Sequence, residues 1–196
     1  MTIRFFAMAG LALLVLPALV CAGGPTSTVE AQVNKLLQVL GDQSLEGEAG
    51  KSVKENKIRA ISDDLFDYVE LSRRTLGRNW KKIDAAQQTE FISLYRKLLE
   101  SVYMGRLLEY SNEKVIFGKE TMLSENRAEV QSNLVAGDKK IPIHYRLVLK
   151  AGNWKVYDII IEGVSLVKNY RTQFNSMLSK GSPEEMLQAL REKVAA

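Results

Sequence analysis

The hydrophobic period of this chain changes twice along its length, and that change limits the folds open to it. Apolar residues recur at helical spacing up to about residue 110, alternate from Lys114 to Glu162, and return to helical spacing afterwards. Ser27 with Glu30 reads as a capping box ahead of Val29, Val33, Leu36, Leu37 and Leu40, and Gly41 ends that helix. A second helical stretch spans about Ser52 to Leu76, with a break and a new N-cap expected at Asp63-Asp64, and Gly77 stops it. Asp84, with Gln87 three residues on, opens the longest helix, which runs to about Tyr110. Phe91, Leu94, Leu98, Val102 and Leu108 form one stripe on it, and Ile92, Tyr95, Leu99 and Tyr103 form another beside the first.

Four alternating runs follow: 114–121, 127–135, 141–150 and 154–162. Gly137-Asp138 and Gly152-Asn153 read as hairpin connections, so the strands form an antiparallel meander. Ile141, Ile143, Tyr145, Leu147 and Leu149 fall on one face, with His144 and Arg146 on the other. Pro142 lacks a donor, which predicts an edge position or a strand start. Ser165 then caps a helix ended by Gly181, and Ser182-Pro183-Glu184-Glu185 starts a last one with proline and acids in its first turn. A meander with one apolar face needs a cover, and the helices supply it. The fold class read from this pattern is α+β, with an antiparallel sheet of about four strands and helices around it.

Residues 1–22 read as a cleaved signal peptide. Arg4 makes the n-region positive, Phe5 to Val20 carry no charge, and Val20-Cys21-Ala22 places small residues for cleavage after Ala22. A lipoprotein anchored at Cys21 is the competing reading, although Val20 is bulkier than the residue that usually precedes such a cysteine. Cleavage leaves residues 23–196 as one domain of 174 residues without a cysteine, hence without a disulfide or a thiolate site. Losing Arg4 leaves 26 Lys+Arg against 23 Asp+Glu, a net charge of +3. Basic pairs such as Lys81-Lys82 and Lys139-Lys140 are too small for a nucleic-acid footprint.

Familiar catalytic apparatus is missing from the sequence. His144 is the single histidine, which excludes Ser-His-Asp and Cys-His machinery and multi-histidine metal sites; no metal or cofactor is expected. The acid pairs Asp63-Asp64 and Glu184-Glu185 sit where helix dipoles favour them. Asp158 interrupts a strand, where propensity disfavours it and burial demands a partner. Two readings stay open for it: a hydrogen bond to a helix end or an arginine, and a general base in a cup-shaped enzyme. What the chain has in plenty is apolar and aromatic surface, with seven Tyr, two Trp and four Phe after cleavage. Periodicity does not separate a filled core from a hollow one.

The run Trp154-Lys155-Val156-Tyr157-Asp158-Ile159-Ile160-Ile161-Glu162-Gly163-Val164-Ser165-Leu166-Val167, followed by Asn169-Tyr170-Arg171 and Gln173-Phe174, closely resembles the signature of the MlaC, or toluene-tolerance, family. Phe66-Asp67, Leu76-Gly77 with Trp80, Gln87, Phe91, Leu98-Leu99 and Tyr103 extend the resemblance over about residues 29 to 192. It implies a periplasmic phospholipid carrier and not an enzyme, with a twisted sheet wrapped by helices in a nuclear-transport-factor-like cup around an apolar cavity. The implied partners are an inner-membrane ABC transporter complex and an outer-membrane lipoprotein complex, with a hopanoid or another apolar ligand as alternative cargo. The expected cavity residues are Phe66, Leu94, Leu98, Val102, Val130, Ile143, Tyr145, Leu147, Val156, Ile160, Val167, Tyr170 and Phe174. A monomer that binds no nucleic acid completes the expectation.

Overall fold

A computed structural model describes residues 23–110 and 112–195; the leader expected over residues 1–22, with Cys21, lies outside them. The order is α1 (Pro25–Leu40), α2 (Gly47–Leu65), α3 (Tyr68–Leu76), α4 (Ala85–Leu108), β1 (Lys114–Ser124), β2 (Arg127–Ala136), β3 (Lys139–Lys150), β4 (Asn153–Ile161), β5 (Val164–Ser165), α5 (Leu166–Lys180) and α6 (Pro183–Ala195). Short 3-10 helices precede α2 (Gln43–Leu45) and follow α3 (Gly77–Lys82). The fold is α+β, and the sheet is antiparallel throughout in the order β1-β2-β3-β4-β5. Among the described residues four long strands are joined by a fifth of two residues, beside the four expected.

Local chemistry sets most helix ends. At α4 the Asp84 carboxylate accepts from the Gln87 N–H at 2.8 Å, and the Gln87 side chain accepts from the Asp84 N–H at 3.2 Å, the reciprocal capping box predicted. The helix spans 24 residues, two short of the expected end at Tyr110, so it is about 36 Å long. The predicted box at Ser27 does not form: Pro25 occupies the first turn, Gly24 is the N-cap, and the Ser27 hydroxyl donates to the Gly24 carbonyl at 2.9 Å.

The expected break at Asp63-Asp64 is displaced to Phe66-Asp67, for a tertiary reason. Phe66 is extended and forms a lone parallel bridge with Val156 of β4. The Asp67 N–H donates to the Val156 carbonyl at 2.9 Å. The Asp67 carboxylate then caps α3 by accepting from the Glu70 N–H at 2.9 Å.

In the sheet, β3 is central and Pro142 lies inside it. The β4 ladder begins only at Ile143–Ile161, so the donor that Pro142 lacks would point past the end of β4. The β3–β4 turn is Ala151-Gly152, both with positive φ (48° and 79°), one residue earlier than expected.

An irregularity in β4 matters more. Arg146 pairs with Asp158 but Leu147 pairs with Val156, so Tyr157 is an extra residue, a β-bulge. Before it Trp154 and Val156 face the same side as Leu149 and Leu147; after it Ile159 and Ile161 do so, opposite Tyr145 and Ile143. Asp158 and Ile160 are thereby turned to the other face, beside Arg146 and His144.

Two cores result. One joins the inner sheet face (Ala128, Val130, Tyr145, Leu147, Trp154, Val156) to Val29 and Val33 of α1 and to Leu65. The other is helical and packs α3, α4, α5 and α6 around Phe91, Tyr95, Tyr170 and Phe174. In that cluster ring centroids lie 5.1 to 6.0 Å apart, with edge-on contacts between Phe91 and Phe174 and between Tyr95 and both Tyr170 and Phe174. Phe66 is packed against both cores.

Candidate lipid cavity

A cavity of about 480 Å³ lies between α1, α2, the C-terminal half of α4 and the inner sheet face. Its walls are Val33, Leu36 and Leu37 of α1; Ile58, Ile61 and Leu65 of α2; Leu99, Tyr103, Met104 and Leu107 of α4; and Val115, Leu134, Ile143, Tyr145, Ile159 and Ile161 from the strands. Many of these, including Leu36, Leu37, Ile61, Met104, Leu107, Leu134 and Ile143, are only half-buried although they point away from the outer surface. A core side chain in such a place would be covered. These face space, and the empty volume is too apolar to hold ordered water well.

Of the thirteen residues expected to line a cavity, Phe66, Ile143 and Tyr145 do so. Leu94, Leu98, Val167, Tyr170 and Phe174 sit in the helical core, and Val130, Leu147 and Val156 in the core under α1. Ile160 is turned to the opposite face by the bulge at Tyr157, and Val102 is 36% exposed on the outer side of α4. The residues that sequence reasoning missed come mainly from α1, α2 and the end of α4. The second apolar stripe of α4, through Leu99 and Tyr103, was the available signal, because it continues into the cavity where the first stripe enters the core.

Polar groups collect where α2 crosses α4. Arg59 of α2 contacts Glu55 at 2.9 Å and Glu100 of α4 at 3.4 Å. Arg96 of α4 bridges Asp63 at 2.9 Å and Glu100 at 2.8 Å, with its guanidinium 5.4 Å from the centre of the Tyr68 ring. These pairs tie α2 across the cavity through partly exposed charges, each worth at most about 1 kcal/mol. Arg106, near the end of α4, also lines the cavity; it lies 5.9 Å from the Tyr103 ring centre and has no carboxylate partner among the described residues. Burial pushes the phenols of Tyr68, Tyr103 and Tyr145 above the usual tyrosine value, so all three stay neutral.

Asp158 is a fastening for α5. One carboxylate oxygen accepts from the Val167 N–H at 3.0 Å and the other from the Ser165 hydroxyl at 2.7 Å; Arg146 stands 3.9 Å away. Both oxygens serve the first turn of α5, and the carboxylate is on the sheet face away from the cavity. Among the described residues no group of three or more His, Cys, Asp or Glu could hold a metal ion, and no helix is long and apolar enough to cross a membrane.

The same architecture recurs in characterised proteins. A phospholipid-binding protein from Ralstonia solanacearum, solved in complex with a phospholipid, superimposes with a TM-score of 0.77 over 88% of this chain and 98% of its own, at 25% identity. The intermembrane phospholipid transport system binding protein MlaC of Haemophilus influenzae is 28% identical over 149 residues, 71% of this chain and 70% of the relative. Toluene tolerance protein ttg2D of Pseudomonas putida is 23% identical over 163 residues, 82% of this chain and 76% of the relative. The family model described as MlaC protein matches residues 30–192, nearly everything after the expected leader, and the chain belongs to the MlaC family.

Proposed function

We propose that this chain is a phospholipid carrier of the periplasm, which holds acyl chain in the cavity and passes lipid between an outer-membrane lipoprotein complex and an inner-membrane ABC transporter complex. In this reading residues 1–22 direct export and are removed, residues 23–196 act as one unit, and no catalysis takes part. The observation that carries it is the apolar cavity of about 480 Å³ walled by half-covered Leu, Ile and Met side chains.

Its size fits the cargo. At roughly 30 Å³ for a group the size of a water or a methylene, about sixteen such groups fill 480 Å³, the content of one C16 chain. At about 0.8 kcal/mol per methylene that chain gains on the order of 12 kcal/mol on leaving water. A lipid held this way does not leave by itself at a useful rate, so transfer occurs while docked to a partner. A second chain requires α2 to move away from α4, and the Arg59, Arg96, Glu100 and Asp63 pairs are weak enough to yield. Arg106 is the cation placed to meet the lipid phosphate.

Native mass spectrometry of the protein purified from cells without detergent tests this. The expected result is a mass increment equal to a phospholipid, with the same lipid recovered by organic extraction. A bare polypeptide mass with an empty extract would refute the reading.

A further inference from the structure

The positive charge of the chain is concentrated away from the cavity. A second recess, of about 840 Å³, is lined by Arg73 and Arg74 of α3, Arg78 and Lys82 of the 3-10 helix after it, Arg127 at the start of β2, and Arg171 of α5. Among the described residues it shares no lining residue with the cavity, and no carboxylate lines it. These six cations exceed the net charge of +4, since the rest of the chain then has 21 Lys+Arg against 23 Asp+Glu.

They are also poorly neutralised. Arg73 and Arg74 share a single carboxylate, that of Glu70, each at 2.7 Å. Arg78, Lys82, Arg127 and Arg171 have no carboxylate partner among the described residues. The arrangement is held in place nonetheless. Arg171 donates through Nε and Nη2 to the Arg74 carbonyl at 3.0 and 2.6 Å, and the Arg74 guanidinium lies 4.0 Å over the Tyr157 ring. Arg74 Nη2 is buried and has no acceptor among the described residues. Fixing like charges side by side is unfavourable by itself, and an anion brought among them relieves the repulsion.

The spread of the cations selects the kind of anion. Arg78 and Lys82 are four residues apart on a 3-10 helix, about 8 Å along its axis, and Arg127 and Arg171 come from other elements. One phosphate cannot span such a set, whereas carboxylates spaced along a peptide can, and guanidinium forks bind carboxylates in bidentate fashion. A lipid bilayer presents a flat surface and meets only the outer rim, whereas these cations line a concave recess. We propose that this recess docks an acidic segment of a protein partner, independently of what fills the cavity.

The test uses a fluorescent Asp/Glu-rich peptide and the mature chain, with binding followed by anisotropy at low and at physiological salt. Phosphatidylglycerol vesicles and pyrophosphate are run beside it. The double variant Arg78→Glu/Arg127→Glu, at two exposed positions, is compared with Lys139→Glu/Lys140→Glu on the β2–β3 hairpin, which changes net charge equally. Arg78→Ala/Arg127→Ala serves as a milder pair, and circular dichroism with lipid load verifies folding. The expected result is salt-sensitive peptide binding, weakened roughly tenfold or more by the recess reversal and only about twofold by the hairpin reversal. No peptide binding at low salt, equal loss in both reversals, or binding of vesicles or pyrophosphate in place of the peptide would each overturn the proposal.

Discussion

Narrowing the cavity from the sheet side should weaken lipid binding and shorten the chains retained without unfolding the protein, and Ile159→Trp is the substitution for it. Ile159 is half-buried, faces the cavity after the β4 bulge, and stands opposite Tyr145. Tryptophan exceeds isoleucine by on the order of 60 Å³, the space of about two groups of about 30 Å³ each and roughly an eighth of the 480 Å³ available. That volume displaces about two methylenes of the cargo, and at about 0.8 kcal/mol each the loss is about 1.6 kcal/mol, a factor of roughly 15 in affinity. The indole enters empty space, so the melting temperature should change little. Leu147→Trp is the contrasting variant: Leu147 is fully buried in the core under α1, and overpacking there costs about 1–3 kcal/mol of stability. The assay is native mass spectrometry with chain-length analysis of the extracted lipid, alongside thermal melts. A folded Ile159→Trp protein with the wild-type load and the wild-type chain lengths would refute the assignment of this face to the cargo.

Two other predictions concern the polar fastenings. Asp158→Ala strips the first turn of α5 of one of its two side-chain acceptors and leaves the Val167 N–H unpaired, which should lower stability by about 1–3 kcal/mol in urea titrations while lipid load is retained; undiminished stability would remove Asp158 from this role. For Asp67, burial pushes the carboxyl up, but the Glu70 N–H and Lys150 at 2.9 Å outweigh it, so the folded value lies below the ordinary one. The carboxylate therefore stabilises the fold above about pH 4 and loses that contribution as pH falls through its folded value, so Asp67→Asn should cost stability at pH 7 and flatten the decline towards pH 3; parallel stability–pH curves for the two proteins would contradict this.

What the sequence made readable were the features set by neighbours in the chain. The Asp84–Gln87 box, the Ser165 cap, the hairpin at Gly137-Asp138 and the shift from helical to alternating period all depend on residues within a few positions of one another. The break between α2 and α3 was misplaced because Asp63-Asp64 carries the local signal, while the bridge that extends Phe66 comes from Val156, ninety residues away. The face of β4 was lost at Tyr157 for a similar reason. Alternation predicts that Val156 and Ile160 point the same way, and one bulged residue, visible only in its pairing with β3, reverses every side chain after it.

The cavity was the least legible feature, because its walls and its supports use the same residue types. Leu94 and Leu107 of α4 are both apolar residues at helical spacing, yet Leu94 is 8% exposed in the helical core while Leu107 is half-buried beside empty space. The distinction arises from what stands opposite. The aromatic cluster of Phe91, Tyr95, Tyr170 and Phe174 fills the space beside the first half of α4, and Val29, Val33 and Leu65 close the sheet face near Leu147 and Val156. Between those two packed regions α2 packs chiefly along α1, with Gly50, Ile58 and Leu65 its only buried residues among those described. The packed cores hold the walls apart, and α2, which buries little of its own surface, is tied to α4 by partly exposed charge pairs. Apolar wall left uncovered has a cost in the empty protein, about 25 cal/mol for each Å² that stays in water. A bound acyl chain removes that cost, so the same uncovered surface that weakens the empty fold becomes the driving force for taking up cargo.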